Sequence, residues 1–227
     1  MNAVFYCSYT GQSKRIAEYI SARTGYPPID VCDANKAVVA TAFIVFPVHC
    51  QSVPRAVKDV LRALDIKRLI PIATYGKKCH GDVLRDVSKL CRGDIVAAAY
   101  VPTKHAYVAG DEEFCDFDAL EPLFAALDTL KPIKIPKSYK NPLSCVFPRL
   151  RSRIGVRLYK DASCDGCGAC ERACAQKAVK AGKPNGRCMR CLKCVATCPK
   201  GALHFRCRFV MKKYLSKRKS VELEIFV

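Results

Sequence analysis

The 227-residue chain has no apolar run long enough to cross a bilayer. Its longest, Ala37 to Val48, is interrupted by Thr41 and Pro47 and falls well short of the ~20 residues that a spanning helix needs. The N-terminus has no basic segment followed by an apolar stretch. Met1-Asn2-Ala3-Val4-Phe5-Tyr6 instead enters a strand-like pattern directly, so a cytoplasmic location is expected and a secretory signal is not. G-x-G-x-x-G and a P-loop lysine are also missing, which disfavours dinucleotide and ATP binding. Acidic residues are scarce in one part only. Residues 1–130 hold 15 basic and 15 acidic side chains, but residues 131–227 hold 24 and 5, so the whole net charge of +19 lies in the second part. A neutral front and a basic back read as two units. Half of the residues are apolar and 26% are charged, which argues against wholesale disorder. Cysteine, by contrast, is abundant at 16 residues. In a reducing compartment disulfides are disfavoured, and metal ligation becomes the leading account of the clustered cysteines.

From Met1 to Leu130, short apolar runs alternate with amphipathic stretches. Strands are expected at 3–7, 29–31, 41–46, 68–74 and 95–101, and helices at 13–24, 54–64, 82–91 and 114–130. Pro54 suits a first helical turn. This alternation with continuous apolar strands predicts an α/β fold, a doubly wound parallel sheet covered on both faces. From 132 to 153 the texture turns basic and proline-punctuated, a linker or an extended wrap over the domain surface. The tail from 208 to 227 is basic and then alternates at Val221-Glu222-Leu223-Glu224-Ile225, which suggests a half-buried terminal strand.

Between them lies a repeat. Cys164, Cys167, Cys170 and Cys174 are spaced C-x2-C-x2-C-x3-C, and Cys188, Cys191, Cys194 and Cys198 repeat that spacing at a constant offset. The flanks repeat too, Ala178-Val179 onto Ala202-Leu203, as in a duplicated half-domain. Three cysteines at x2 intervals curl around one corner of a cube, each on a different iron. The fourth lies too far along to close the same cube and reaches the partner cluster. Cys164, Cys167, Cys170 and Cys198 would then hold one [4Fe–4S] cluster, and Cys188, Cys191, Cys194 and Cys174 the other. Two zinc sites are the plainer alternative, since C-x2-C also serves zinc. Zinc knuckles, however, are usually separated by a longer loop and often include histidine. Residues 154–207 resemble a bacterial two-cluster ferredoxin. That family's proline after the fourth cysteine is present as Pro199 but is Ala175 in the first run, so a less constrained turn after Cys174 is expected.

After the first strand comes Ser8-Tyr9-Thr10-Gly11-Gln12-Ser13. A hydroxyl-rich loop at a helix N-terminus offers free N–H groups and the positive end of the dipole, which suits a phosphate dianion. The loop resembles the FMN-phosphate loop of flavodoxins, and the element order after it fits a flavodoxin-like domain over residues 1–131. Nearly the whole chain resembles flavodoxin–ferredoxin fusion proteins. The resemblance implies FMN, with its ring near the carboxyl ends of the third and fourth strands. Those ends carry Phe46, Pro47, Val48, His49, Cys50 and Gln51, and Tyr75 and Gly76. Tyr75, His49 or Tyr107 could stack on the ring, and the sequence does not choose among them.

The other cysteines (Cys7, Cys32, Cys50, Cys79, Cys91, Cys115, Cys145 and Cys207) show no ligand spacing and read as small buried hydrophobes. The basic half, including Arg149 to Arg157, Lys212-Lys213 and Lys217-Arg218-Lys219, would steer an acidic redox protein. Peripheral contact with anionic lipid is possible. Nucleic acid is disfavoured by the lack of interleaved aromatics or a helix-turn-helix pattern. The expected function is an electron-transfer relay between FMN and two clusters. An FMN-dependent reductase of a small organic acceptor, fed by the clusters, is the alternative.

Overall fold

A computed structural model of the protein describes residues 1–108, 110–142, 148–217 and 222–227. The chain forms two compact units, one of Met1–His105, Gly110–Ser144 and Lys219–Val227, the other of Ala106–Ala109 and Cys145–Arg218. The first contains β1 (Asn2–Tyr6), α1 (Gln12–Thr24), β2 (Pro28–Asp30), β3 (Val38–Pro47), α2 (Arg55–Ala63), β4 (Asp65–Tyr75), α3 (Val83–Ser88), β5 (Asp94–Ile95), β6 (Ala98–Pro102) and α4 (Glu121–Thr129). The second contains α5 (Pro148–Gly155), β7 (Val156–Lys160), α6 (Ala169–Arg172), β8 (Val179–Lys180), β9 (Lys183–Pro184), α7 (Lys193–Ala196), β10 (Leu203–Cys207) and α8 (Phe209–Leu215). Strand β11 (Glu224–Phe226) belongs to the first unit.

The first unit is α/β. Its seven-stranded sheet runs β11-β6-β4-β3-β1-β2, with β5 beside β4. All pairs are parallel except β11 with β6. Without the short β5, the parallel strands take the order 2-1-3-4-5, that of flavodoxin-like sheets. Side chains alternate between the faces along each strand. Ala42, Ile44 and Phe46 of β3 join Val57, Val60 and Leu61 of α2 and Val83, Leu84 and Val87 of α3 on one side. Phe43 and Val45 join Ile16, Ala17 and Ile20 of α1 and Leu123 and Phe124 of α4 on the other. Both faces are covered, which is why β3 and the carboxyl-terminal part of β4 are largely apolar.

Three local expectations are corrected. The run 95–101 is divided, because Leu69 pairs with Ile95 but Ile72 pairs with Ala99. The register slips between these two pairings. Val96 and Ala97 consequently both face the α1 side, the mark of a bulge. The helix expected at 114–130 begins only at Glu121, after a 3-10 turn at Asp118–Leu120, because Pro122 occupies its first turn. Pro54 is the N-cap of α2 and not its first helical residue. The terminal alternation does form a strand, at Glu224–Phe226, while Val221 lies outside the described residues.

The stretch after α4 wraps over the sheet. Ile133 N–H donates to the Ile95 carbonyl at 2.7 Å, Ser138 N–H to Asp82 at 3.0 Å and Asn141 N–H to Gln51 at 2.8 Å. Ile133 and Ile135 pack on the α2–α3 side. Gly93 is fixed by backbone proximity, since a Cβ there would lie 2.0 Å from the Ile66 carbonyl oxygen and 2.4 Å from that of Lys67. Gly93→Ala is expected to destabilise the protein by about 2–4 kcal/mol, read by urea denaturation, because neither carbonyl can yield without breaking the β4–β5 pairing.

Candidate functional site

Two sites emerge, one in each unit. The first lies at the carboxyl edge of the parallel sheet. There the Ser8–Ser13 loop leads from β1 into α1. Gly11 is the N-cap of α1, with φ +92°, and no side chain caps the helix among the described residues. A Cβ at Gly11 would meet nothing within 4 Å, so space is open beside Gly11. Ser13 is buried and its Oγ lies 2.9 Å from Thr74 Oγ1. Ser8 Oγ is different, being buried with no hydrogen-bond partner among the described residues. A buried hydroxyl left unsatisfied is costly, and a phosphate oxygen at the helix N-terminus would satisfy it. Thr10 is half-buried, as is Tyr9, which packs on the α2–α3 side of the sheet.

The neighbouring loops are tightly tied. Val48 N–H donates to the Thr74 carbonyl at 2.7 Å. His49 and Ser52 exchange backbone bonds across a tight turn in which Cys50 and Gln51 both have positive φ, 50° and 55°. That conformation is strained for residues with side chains. Lys77, φ 52°, is buried and donates to the Glu112 carbonyl at 2.9 Å, and its Nζ lies 3.5 Å from Asp111. Asp111 also accepts the His105 N–H at 2.9 Å. Glu113 takes hydrogen bonds from Gln12, Lys104 and Arg15, so Lys104 and Glu113 are tied to the first turn of α1. Gly76 lies against His105, and a Cβ there would be 2.6 Å from the imidazole Cδ2.

Phe46 and Tyr75 are buried in the core, and the Tyr75 hydroxyl donates to the Glu222 carbonyl at 2.7 Å, so neither ring has a free face. Tyr107 falls in the second unit, where its ring packs against Phe205 and its hydroxyl donates to the Arg190 carbonyl. Pro47, Val48 and His49 are half-buried at the sheet edge. The reading of isolated cysteines as buried holds for Cys7 but not for Cys32 and Cys115, which are exposed, and Cys145 lies outside the described residues.

Burial lowers the His105 imidazole from its ordinary 6.5 to about 4, Lys78 adds to the effect and Asp111 opposes it. The folded state therefore keeps the ring neutral where the unfolded chain would take up a proton. Stability is full above about 6.5 and is lost as pH falls through about 4. Denaturation across that window is expected to show a loss of up to about 3 kcal/mol, flattened in His105→Gln.

The second site is built on the duplication. Left-handed backbone recurs at the offset of the cysteine runs: Gly166 and Arg190 (φ 77° and 60°), Gly168 and Leu192 (73° and 63°), Lys177 and Gly201 (46° and 62°). Glycine serves this conformation at one member of each pair, and a side chain tolerates it at the other. The turn after the fourth cysteine closes alike in both halves, Lys177 N–H to the Cys174 carbonyl at 2.8 Å and Gly201 N–H to the Cys198 carbonyl at 3.1 Å. Ala175 in place of proline therefore leaves that turn's hydrogen bond intact. The halves also exchange contacts. Asp161 N–H donates to the Ala202 carbonyl at 3.0 Å and Asn185 N–H to the Ala178 carbonyl at 2.8 Å.

This exchange crosses the cysteine runs. Cys164, Cys167, Cys170 and Cys198 line one cavity, with Gly166, Gly168 and Ala169 between them. Cys174 lies instead with the second run. Burial pushes the Cys194 thiol up to about 12, and its neighbours Cys191, Cys188 and Cys174 push the same way. Burial also raises Cys191, again with Cys188 and Cys174 contributing. Cys191 and Cys194 resist ionising together there unless cationic charge lies among them. Cys174 Sγ also accepts the Ala178 N–H at 3.2 Å. Among the described residues no group of three or more His, Cys, Asp or Glu side chains is arranged to hold a single metal ion. Likewise, among the described residues no helix is long and apolar enough to cross a membrane.

No protein-family model and no curated protein sequence matches the chain. Among solved structures, one titled "Putative flavoprotein from Bacteroides uniformis" is similar, at 14% identity and a TM-score of 0.37 over 46% of this chain and 91% of that one.

Proposed function

We propose that the protein is an electron carrier whose second unit holds two [4Fe–4S] clusters and whose first unit holds FMN, linking a two-electron to a one-electron redox partner. The observation that carries this reading is the crossing of the cysteine runs, Cys198 joining the cavity of Cys164, Cys167 and Cys170 while Cys174 stands with Cys188, Cys191 and Cys194. Cubane ligands each bind a different iron, so they surround a volume and need not meet at one ion. When bound, a flavin exchanges two electrons and each cubane one.

The chain's own residues have defined parts. The thiolates would fix the clusters, and burial of Cys188 and Cys194 keeps water from that quartet. Ala178 N–H donates to Cys174 Sγ, a kind of bond that tunes ligand basicity. Ser8 Oγ and the N-terminus of α1 would receive the flavin phosphate. The Lys77–Asp111 pair and the Glu113 clamp hold the loops around it.

Anaerobic purification with assay of iron, sulfide and flavin tests the whole reading. Iron and sulfide in equal amounts, with one flavin per chain, are expected. Zinc without sulfide would overturn the clusters, and failure to bind added FMN would overturn the flavin. Ser8→Val is expected to weaken FMN about tenfold by isothermal titration, through loss of one charge-assisted hydrogen bond.

A further inference from the structure

The described residues include ten large apolar side chains that are exposed, and five of them (Leu150, Ile154, Phe209, Val210 and Tyr214) lie on the short helices α5 and α8. Phe209 is 77% exposed and Val210 63%. The helices pack together. Arg208 N–H donates to the Gly155 carbonyl at 2.8 Å, and a Cβ at Gly155 would stand 2.9 Å from Met211. Leu150 and Ile154 stand at i and i+4 and share one helix stripe.

Along the chain, the stretches that contain these helices carry charge of one sign. No Asp or Glu occurs between Asp128 and Asp161, or between Glu171 and Glu222, while those two stretches carry 9 and 15 Lys or Arg. Arg153, Arg157, Arg208, Lys212 and Lys213 are exposed. A solvated basic face has no need of protruding Phe and Val, and a purely electrostatic partner would gain nothing from them. Apolar tips standing among cations on a short helix fit the boundary between lipid headgroups and acyl chains, where the tips are buried and the cations meet anionic headgroups. We propose that α5 and α8 dock the protein on an anionic membrane surface. The inference does not depend on the cofactors.

The test is co-sedimentation of the intact, anaerobically purified chain with vesicles of phosphatidylcholine, alone or mixed with phosphatidylglycerol. Binding is expected only with the anionic lipid and is expected to weaken with salt. Lys212→Gln and Lys213→Gln should each reduce it about fivefold, and Phe209→Ser about tenfold or more. The chain has no tryptophan, so Phe209→Trp supplies a unique reporter, whose emission should shift to the blue on anionic vesicles alone. No binding to anionic vesicles, or equal binding to neutral ones, would overturn the proposal. So would binding unaffected by Phe209→Ser and matched by duplex DNA or polyglutamate, which would assign the face to nucleic acid or an acidic protein. Circular dichroism of each variant separates lost binding from lost folding.

Discussion

Replacing Cys164 and Cys198 together by alanine is expected to halve the iron of the reconstituted protein, whereas replacing Cys188 and Cys198 together should remove nearly all of it. The first pair is drawn from different runs and the second from a single run, so pairing along the sequence would give the reverse. The difference follows from the exchange between the halves. The Asp161–Ala202 and Asn185–Ala178 bonds bring the end of each repeat to the start of the other. Cys198 therefore lines the cavity of Cys164, and Cys174 neighbours Cys194. A double variant within one quartet damages one cluster twice, and a variant across quartets damages both. Iron and sulfide assays read the result, and single variants give the baseline for additivity. Equal iron in the two double variants would defeat the crossed assignment.

Much of this was legible because the relevant signals are periodic. The constant offset appears in the cysteines themselves, and the backbone repeats it at Gly168 and Leu192. Nothing local marks Leu192 and Arg190 for the left-handed form that glycine serves in the other half, because packing imposes it. The buried strands β3 and β4 were plain from largely apolar runs. The slip at Val96–Ala97 was not, since two small apolar residues fit either face and only the pairing with β4 decides between them. Pro122 marks the first turn of α4, a signal that the expected 114–130 helix did not use.

At the first site, the hydroxyl-rich loop leading from β1 into α1 was legible as a local pattern. The ring-stacking candidates were not, because stacking depends on which aromatic face stays open after folding. Tyr75 is consumed by the core. The tether from Lys77 to the 103–113 loop was invisible for another reason: Lys77 and Asp111 are remote in the sequence, and a lysine after a strand reads as a solvated side chain.

That tether underlies the second large effect. Lys77→Met is expected to destabilise the first unit by about 3–5 kcal/mol and to abolish tight FMN binding, although Lys77 is not offered as a flavin ligand. The Asp111 side chain is 2% exposed and that of Lys77 10%, so removing the cation takes a charge partner from a buried carboxylate. The same carboxylate fixes the His105 backbone at 2.9 Å, and His105 in turn packs on Gly76. With Asp111 loosened, Glu113 would part from Gln12 and Arg15 in the first turn of α1. Asp111→Asn keeps an acceptor for the His105 N–H, and the combined Lys77→Met, Asp111→Asn variant removes both charges. The double variant should therefore regain most of the lost stability, since a buried ion pair contributes little net free energy even though breaking it is expensive. Denaturation midpoints with and without FMN separate the two effects. If Lys77→Met alone left both midpoints unchanged, the pair would be no more than a surface contact and the loop would owe its position to Glu113.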